Sequence, residues 1–194
     1  MRKLTVDDIT DLRAYERERD EFRARIIEMK KRRRIQLGDI LTIVFENTDT
    51  MRWQVQEMAR AEKMLSDEQI AHELETYNAL IPDEGELSAT LLVELTSEPA
   101  LREWLPKLVG IQRSVGVWLD DGSRVQGFDP EEERLTREEE ITTTVHYLKF
   151  RFEPEQAKLL RDAPAQLVVD HPDYDAVVKL TDEQRGELAS DLDL

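Results

Sequence analysis

Cysteine is absent from these 194 residues. Disulfides, thiolate zinc sites, cysteine-ligated iron–sulfur clusters and thiol nucleophiles are therefore excluded as properties of the chain alone. Glycine is scarce, at seven residues, and neither Gly-x-x-x-x-Gly-Lys nor Gly-x-Gly-x-x-Gly occurs. No phosphate-cradling loop or dinucleotide fingerprint is available, and no cofactor is expected. The serine elbow of esterases is missing too, since Gly85-Glu86-Leu87-Ser88-Ala89 lacks its pattern. No apolar run approaches the roughly 18 residues that read as a membrane span. Met1-Arg2-Lys3-Leu4 leads into a helix-capping signal rather than an apolar leader. A cytoplasmic protein with no membrane attachment is the expectation. Aromatic residues make up only 6%, which implies a small core.

What the chain has in abundance is charge, at 36% of residues and a net −16. Its distribution is uneven. Residues 1–34 carry 12 Lys/Arg against 8 Asp/Glu, a net +4, and residues 35–194 carry 15 against 35, a net −20. A nucleic-acid binder must present a basic face to phosphates, so the acidic body argues against that class. The 40% hydrophobic content still suffices for a folded core.

The hydropathy pattern alternates between helical and strand periods. Thr5-Val6-Asp7-Asp8 predicts a helix start, and the helix runs to about Lys31. Leu12, Tyr15, Arg19, Phe22, Ile26 and Met29 recur at steps of three and four, marking one face as an interface with the body or with a second copy. Lys30 to Arg34 closes the helix where cations suit its negative end. Ile35–Leu37 and Ile40–Phe45 read as strands parted by Gly38-Asp39, the second covered on both faces. A second helix follows from about Thr48 to Leu65, and Ser66-Asp67-Glu68-Gln69 is a capping box that opens a third, to about Asn78.

Beyond Gly85 the pattern predicts a strand over Leu87–Leu95, a short helix over Pro99–Val109, and a hairpin of Val115–Leu119 with Arg124–Phe128 about an Asp-Gly turn. A strand over Thr142–Phe152, a helix over Glu155–Asp162, strands over Gln166–Asp170 and Ala176–Leu180, and a last helix capped by Thr181 complete it. Short links favour antiparallel pairing. The fold class is therefore α+β, with N-terminal helices packed on a mostly antiparallel sheet. Residues 1–85 form a helical part with one strand segment and residues 86–194 an α+β part, together one compact domain.

Few residues suggest chemistry. His72 has Glu75 one turn ahead on the third helix and reads either as half of a metal site or as a charge-paired solvated face. Di-iron helical bundles use the reverse order, Glu-x-x-His, on each of two helices. Glu46, Glu57, Arg60, Glu62 and Glu86 are candidates for a carboxylate-lined pocket, with surface pairing as the alternative for Glu57 and Arg60. His146 reads as a hydrogen-bonded sheet residue and His171 as a turn residue before Pro172. Arg19 interrupts the apolar stripe of the first helix and needs a carboxylate partner or a route to solvent.

Phe45-Glu46-Asn47, Gln56-Glu57-Met58-Ala59-Arg60-Ala61-Glu62, Glu75-Thr76-Tyr77-Asn78, Leu80-Ile81-Pro82, Glu86-Leu87-Ser88-Ala89-Thr90 and Asp170-His171-Pro172-Asp173-Tyr174 together resemble a bacterial family, domain of unknown function 3501. The resemblance spans nearly the whole chain. It implies no catalytic residues. It does imply genomic neighbours that encode rubrerythrin-like proteins and iron–sulfur oxidoreductases, and hence an accessory role in an oxidative-stress or electron-transfer system. An interaction protein with a protein partner, or a homodimer, is the first expectation, and a small-molecule or metal-binding enzyme with a carboxylate/histidine pocket is the alternative.

Overall fold

The computed structural model describes residues 1–130 and 141–192. All of the acidic loop Asp129–Glu140 except its first two residues therefore lies outside the described residues. Within the described residues run six helices, α1 (Leu12–Arg33), α2 (Thr48–Glu62), α3 (Asp67–Asn78), α4 (Glu98–Lys107), α5 (Pro154–Asp162) and α6 (Asp182–Ala189). The strands are β1 (Arg34–Leu37), β2 (Leu41–Glu46), β3 (Glu86–Val93), β4 (Val115–Leu119), β5 (Arg124–Phe128), β6 (Val145–Arg151), β7 (Ala165–His171) and β8 (Tyr174–Lys179). They form one eight-stranded sheet in the order β1-β2-β3-β6-β5-β4-β7-β8. Every neighbouring pair is antiparallel, so the α+β class holds. β1 and β2 enter the same sheet as the later strands through the β2–β3 ladder, so the sheet crosses the boundary at residue 85.

The sheet curls. Alternate residues of all eight strands, among them Leu37, Ile43, Leu91, Val117, Val125, Phe150, Leu167 and Ala176, meet in one buried cluster inside it, and their period-2 spacing is what aims them there. Where the two edge strands approach, Tyr174 Oη donates to Leu37 O at 2.6 Å. Gly38, at φ +70°, makes this seam possible, because a Cβ there would stand 2.2 Å from Tyr174 Oη.

Helix α1 lies against β1 and β2, α2 packs on α1 and α3 on α2, and β2 is buried on both faces as its continuous apolar run predicts. The α1 stripe is covered from within the chain. Tyr15 and Phe22 meet Trp53 of α2 edge-on, with centroids 6.4 and 5.4 Å apart, and Ile26 is buried beside them. Each such burial contributes roughly 1.5–3 kcal/mol. Met29 receives the Asn47 amide on its sulfur, and Leu12 joins the cluster between α2, α3 and the N-terminal segment. Tyr15, Phe22 and Ile26 are thus buried within the chain itself.

Three boundaries differ from the sequence reading for clear reasons. Residues 6–8 form a separate 3-10 turn, because Asp8 bonds back to Thr5 N and to Arg2; Asp11 then caps α1 by accepting from Arg13 N and Ala14 N. β6 begins at Val145 rather than Thr142. Thr142 N bonds Leu105 O, and Thr143 Oγ1 turns onto the Val145 carbonyl, so the chain reaches the ladder only later. α2 also stops at Glu62, where Lys63 takes a left-handed conformation.

Candidate functional site

The pocket candidates read from the sequence do not converge on one place. Glu57 is consumed within the helical layer: Arg19 donates to both its oxygens at 2.8 Å, and Tyr15 Oη donates at 2.6 Å. The Arg19 hydrogen bond is the main reason its carboxyl lies below the usual range, and the same carboxylate raises the Tyr15 phenol, on top of burial. Arg60 pairs with Glu16, and Glu62 is exposed at the end of α2. His72 is 80% exposed in its side chain and sits 3.8 Å from an equally open Glu75. Among the described residues no three metal-ligating side chains converge. His171 accepts from Asp173 N and bonds Val109 O, which fixes its turn.

Glu46 and Glu86 share the outer face of the sheet. In the β2–β3 register Glu46 stands opposite Ser88, and in the β3–β6 register Ser88, Thr90 and Glu86 stand opposite Lys149, Tyr147 and Arg151. Since side chains alternate along a strand, this makes a continuous polar patch on three strands. Glu86 is buried and fully paired, taking Arg151 at 2.6 Å and Lys149 at 3.1 Å. Burial pushes its carboxyl up, but the two cations outweigh that and hold it below the ordinary value.

Over this patch opens a cleft of about 770 Å³, bounded by the C-terminal turn of α3 on one side and β6 on the other. Among the described residues β5 and β6 pair only through Gly127 with Phe150 and Phe128 with Lys149. Beyond these pairs the cleft extends to Asp129, Pro130, Gln112 and His146. Its walls are aromatic and aliphatic: Tyr77, Leu80, Val145 and Tyr147, the last 44% exposed. Burial, then the charges of Tyr77 and Glu46, pushes the Tyr147 phenol up.

The polar groups of the cleft divide sharply. Its lysines are engaged, Lys3 with Asp83 at 2.8 Å and with Ile81 O at 2.5 Å, and Lys149 with Glu86 and Asp83. The Lys3 hydrogen bond is what holds the Asp83 carboxyl below its usual range. Two buried oxygens have no partner. Beneath the polar patch and outside the cleft's lining, Glu46 is 6% exposed; its Oε1 accepts from Thr90 Oγ1 at 2.9 Å, while Oε2 has no partner. Gln112 is also buried, with Oε1 unpartnered. A buried polar atom left so costs about 1–3 kcal/mol, and more when charged.

Of the sequence candidates, then, Glu75 lines the rim of the cleft, Glu86 anchors its lysine, and Glu46 lies behind Thr90. Tyr77, Tyr147, Gln112 and Lys149 were missed. The available signal was Val145 and Tyr147, two large apolar side chains on the solvent-facing phase of β6, where a half-buried strand ordinarily places polar ones.

A family described as protein of unknown function, DUF3501, matches residues 3–192. A crystal structure of a novel protein of unknown function from Burkholderia pseudomallei K96243 is 35% identical, superposes with a TM-score of 0.91, and aligns over 99% of this chain and 100% of that one. Among curated proteins there is no match. With nearly its whole length matched, the chain belongs to the DUF3501 family.

Proposed function

We propose that the chain is an accessory protein that binds a small molecule in the cleft between α3 and β6. One observation carries this reading: a cleft of about 770 Å³ joins apolar walls to a few fixed polar groups, the combination that small-molecule sites share. The polar groups are held in place by the sheet register and by the ion pairs around Glu86, so the site is largely preformed. The family resemblance supports the setting, an oxidative-stress or electron-transfer system of the cytoplasm with rubrerythrin-like and iron–sulfur partners.

Saturation-transfer NMR against a panel of cationic, neutral and anionic aromatic and aliphatic metabolites tests the site. Bound members should lose their signal in Val145→Trp, which narrows the cleft at a half-exposed strand position, while the melting temperature stays unchanged. Binding that persists undiminished in Val145→Trp, or a panel with no bound member, overturns the reading.

A further inference from the structure

β8 is the last strand of the sheet, and among the described residues its side away from β7 carries no ladder. β1, the other edge, meets it through inward-facing side chains instead: Tyr174 Oη reaches Leu37 O, and a Cβ on Gly38 would stand 3.6 Å from Ala176 Cβ. Tyr174 and Val178 point inward with Ala176 yet stay half-exposed, as side chains at an open edge do.

The ladder with β7 decides which backbone groups face outward. The two-residue turn Pro172-Asp173 makes His171 and Tyr174 a hydrogen-bonded pair, and Leu180 N on Ala165 O at 3.0 Å keeps the same alternation at the far end. Tyr174, Ala176 and Val178 thus bond β7, whereas the N–H and C=O groups of Asp175, Val177 and Lys179 point away from it. None of those groups has a hydrogen-bond partner among the described residues.

The side chains of the same three residues share the outer face. All are exposed, Val177 to 58%. Asp175 and Lys179 form no ion pair among the described residues, and Asp175 stands opposite the like charge of Asp170 in the β7–β8 register. Like charges so placed destabilise the pair, and a cation on the open side of Asp175 would offset them. A lysine alone on an edge strand ordinarily repels a further strand. Here an aspartate lies four residues before it with an exposed valine midway, and that order is its own complement when reversed. In an antiparallel pair of β8 strands centred on Val177, valine meets valine and each Asp175 meets the partner's Lys179. Centring on Asp175 or Lys179 would set like charges opposite each other, and centring on Ala176 or Val178 would set a charge against Val177.

We infer that two copies of the chain pair through β8 about a two-fold axis at Val177, joining their sheets edge to edge. The contact is isologous. Each copy satisfies backbone groups left open on the other, covers its Val177 and neutralises both charges of its strand.

Sedimentation equilibrium on the full chain at about 0.15 M salt, where the mutual repulsion of two chains of net −16 is screened, should show a monomer–dimer equilibrium. Asp175→Lys sets lysine against lysine at both ends of the pairing, and Lys179→Asp sets aspartate against aspartate. Each should weaken the dimer by at least about tenfold. Mixed in equal amounts, the two variants should associate again, since every lysine then meets an aspartate. The double exchange Asp175→Lys/Lys179→Asp should dimerise as the wild type does, and it takes the place of the mixture if either single variant fails to fold. A wild type that stays monomeric at every concentration reached, a dimer that both single variants leave intact, or a mixture and double exchange no more associated than the single variants each overturn the inference.

Discussion

Arg33 is 1% exposed, and its guanidinium is held on three sides. Asp191 takes it in a two-pronged pair at 2.6 and 2.8 Å, and Glu187 accepts from Nε at 2.8 Å. Burial works against the charge of Arg33, but these two carboxylates outweigh it and raise its affinity for the proton. The pair ties the end of α1 to the turn after α6, which packs against β3. Removing one partner of a buried pair costs about 3–5 kcal/mol, because the other is left charged in a poor solvent. Asp191→Ala leaves Glu187 in place and should therefore fall at the lower end, about 3 kcal/mol. For a chain of this length each kcal/mol moves the melting temperature by about 2–4 °C, so a fall of about 6–12 °C is expected. Urea unfolding followed by far-ultraviolet circular dichroism measures the loss directly. The double variant Arg33→Met/Asp191→Leu removes both charges and should recover most of it. A loss under about 1 kcal/mol for Asp191→Ala, or a double variant no better than the single, would refute the buried-pair argument.

Three further outcomes follow from the same structure. Glu57→Gln should lower stability by about 1 kcal/mol at neutral pH. Because Arg19 depresses the folded carboxyl, the Glu57 contribution is complete above the unfolded value of about 4.3 and is lost as pH falls through the folded one. The gap between wild-type and variant urea midpoints should then narrow as the pH falls below that unfolded value, and a gap independent of pH rejects the pairing. Gly38→Ala combines φ +70° with a contact of 2.2 Å to Tyr174 Oη; it should cost about 1–3 kcal/mol, and less when measured in a Tyr174→Phe background, with equal losses in both backgrounds arguing against a tight seam. His72→Ala should change stability by no more than about 0.5 kcal/mol and leave the metal content of the purified protein as it was; a stoichiometric loss of metal would restore His72 as a ligand.

Local signals accounted for most of the fold. The Asp-Gly turn set the β4–β5 hairpin, the Ser66 capping box set the start of α3, and the unbroken run in β2 announced a strand covered on both sides. Arg33 was read as part of a basic helix end, yet the stripe Phe22, Ile26, Met29 continues to it at a step of four, and the buried face runs on with it. Periodicity held the answer there, and charge composition obscured it. Arg19 is different: its need for a carboxylate could be read from the stripe, but Glu57 as the partner depends on how α1 crosses α2. The cleft was least legible. Its walls come from α3, β6 and the turn before β4, segments tens of residues apart, and only the strand order β3-β6-β5 brings them together. Glu46 was named together with Glu57, Glu62 and Glu86, and no sequence pattern distinguishes it from Glu86, whose two cations lie across a non-local ladder.

Glu46 also permits a test in which structural and ligand-binding roles differ in sign. A carboxylate kept for stability is worth more than an apolar replacement of similar length, so Glu46→Met would then destabilise. A carboxylate kept for a ligand sits in the free protein as an unpaired buried group, at a cost of about 1–3 kcal/mol or more for the orphaned oxygen. Against this stands only the hydrogen bond from Thr90, whose hydroxyl is half-buried and can turn to water. Met adds favourable apolar burial between β2 and the helical layer and fits irregular space. Glu46→Met should therefore leave the free protein as stable as the wild type or more stable, by up to about 2 kcal/mol. Urea midpoints of the two proteins decide it. A loss of more than about 1 kcal/mol in Glu46→Met would make Glu46 a structural residue and leave its partnerless oxygen without a functional reading.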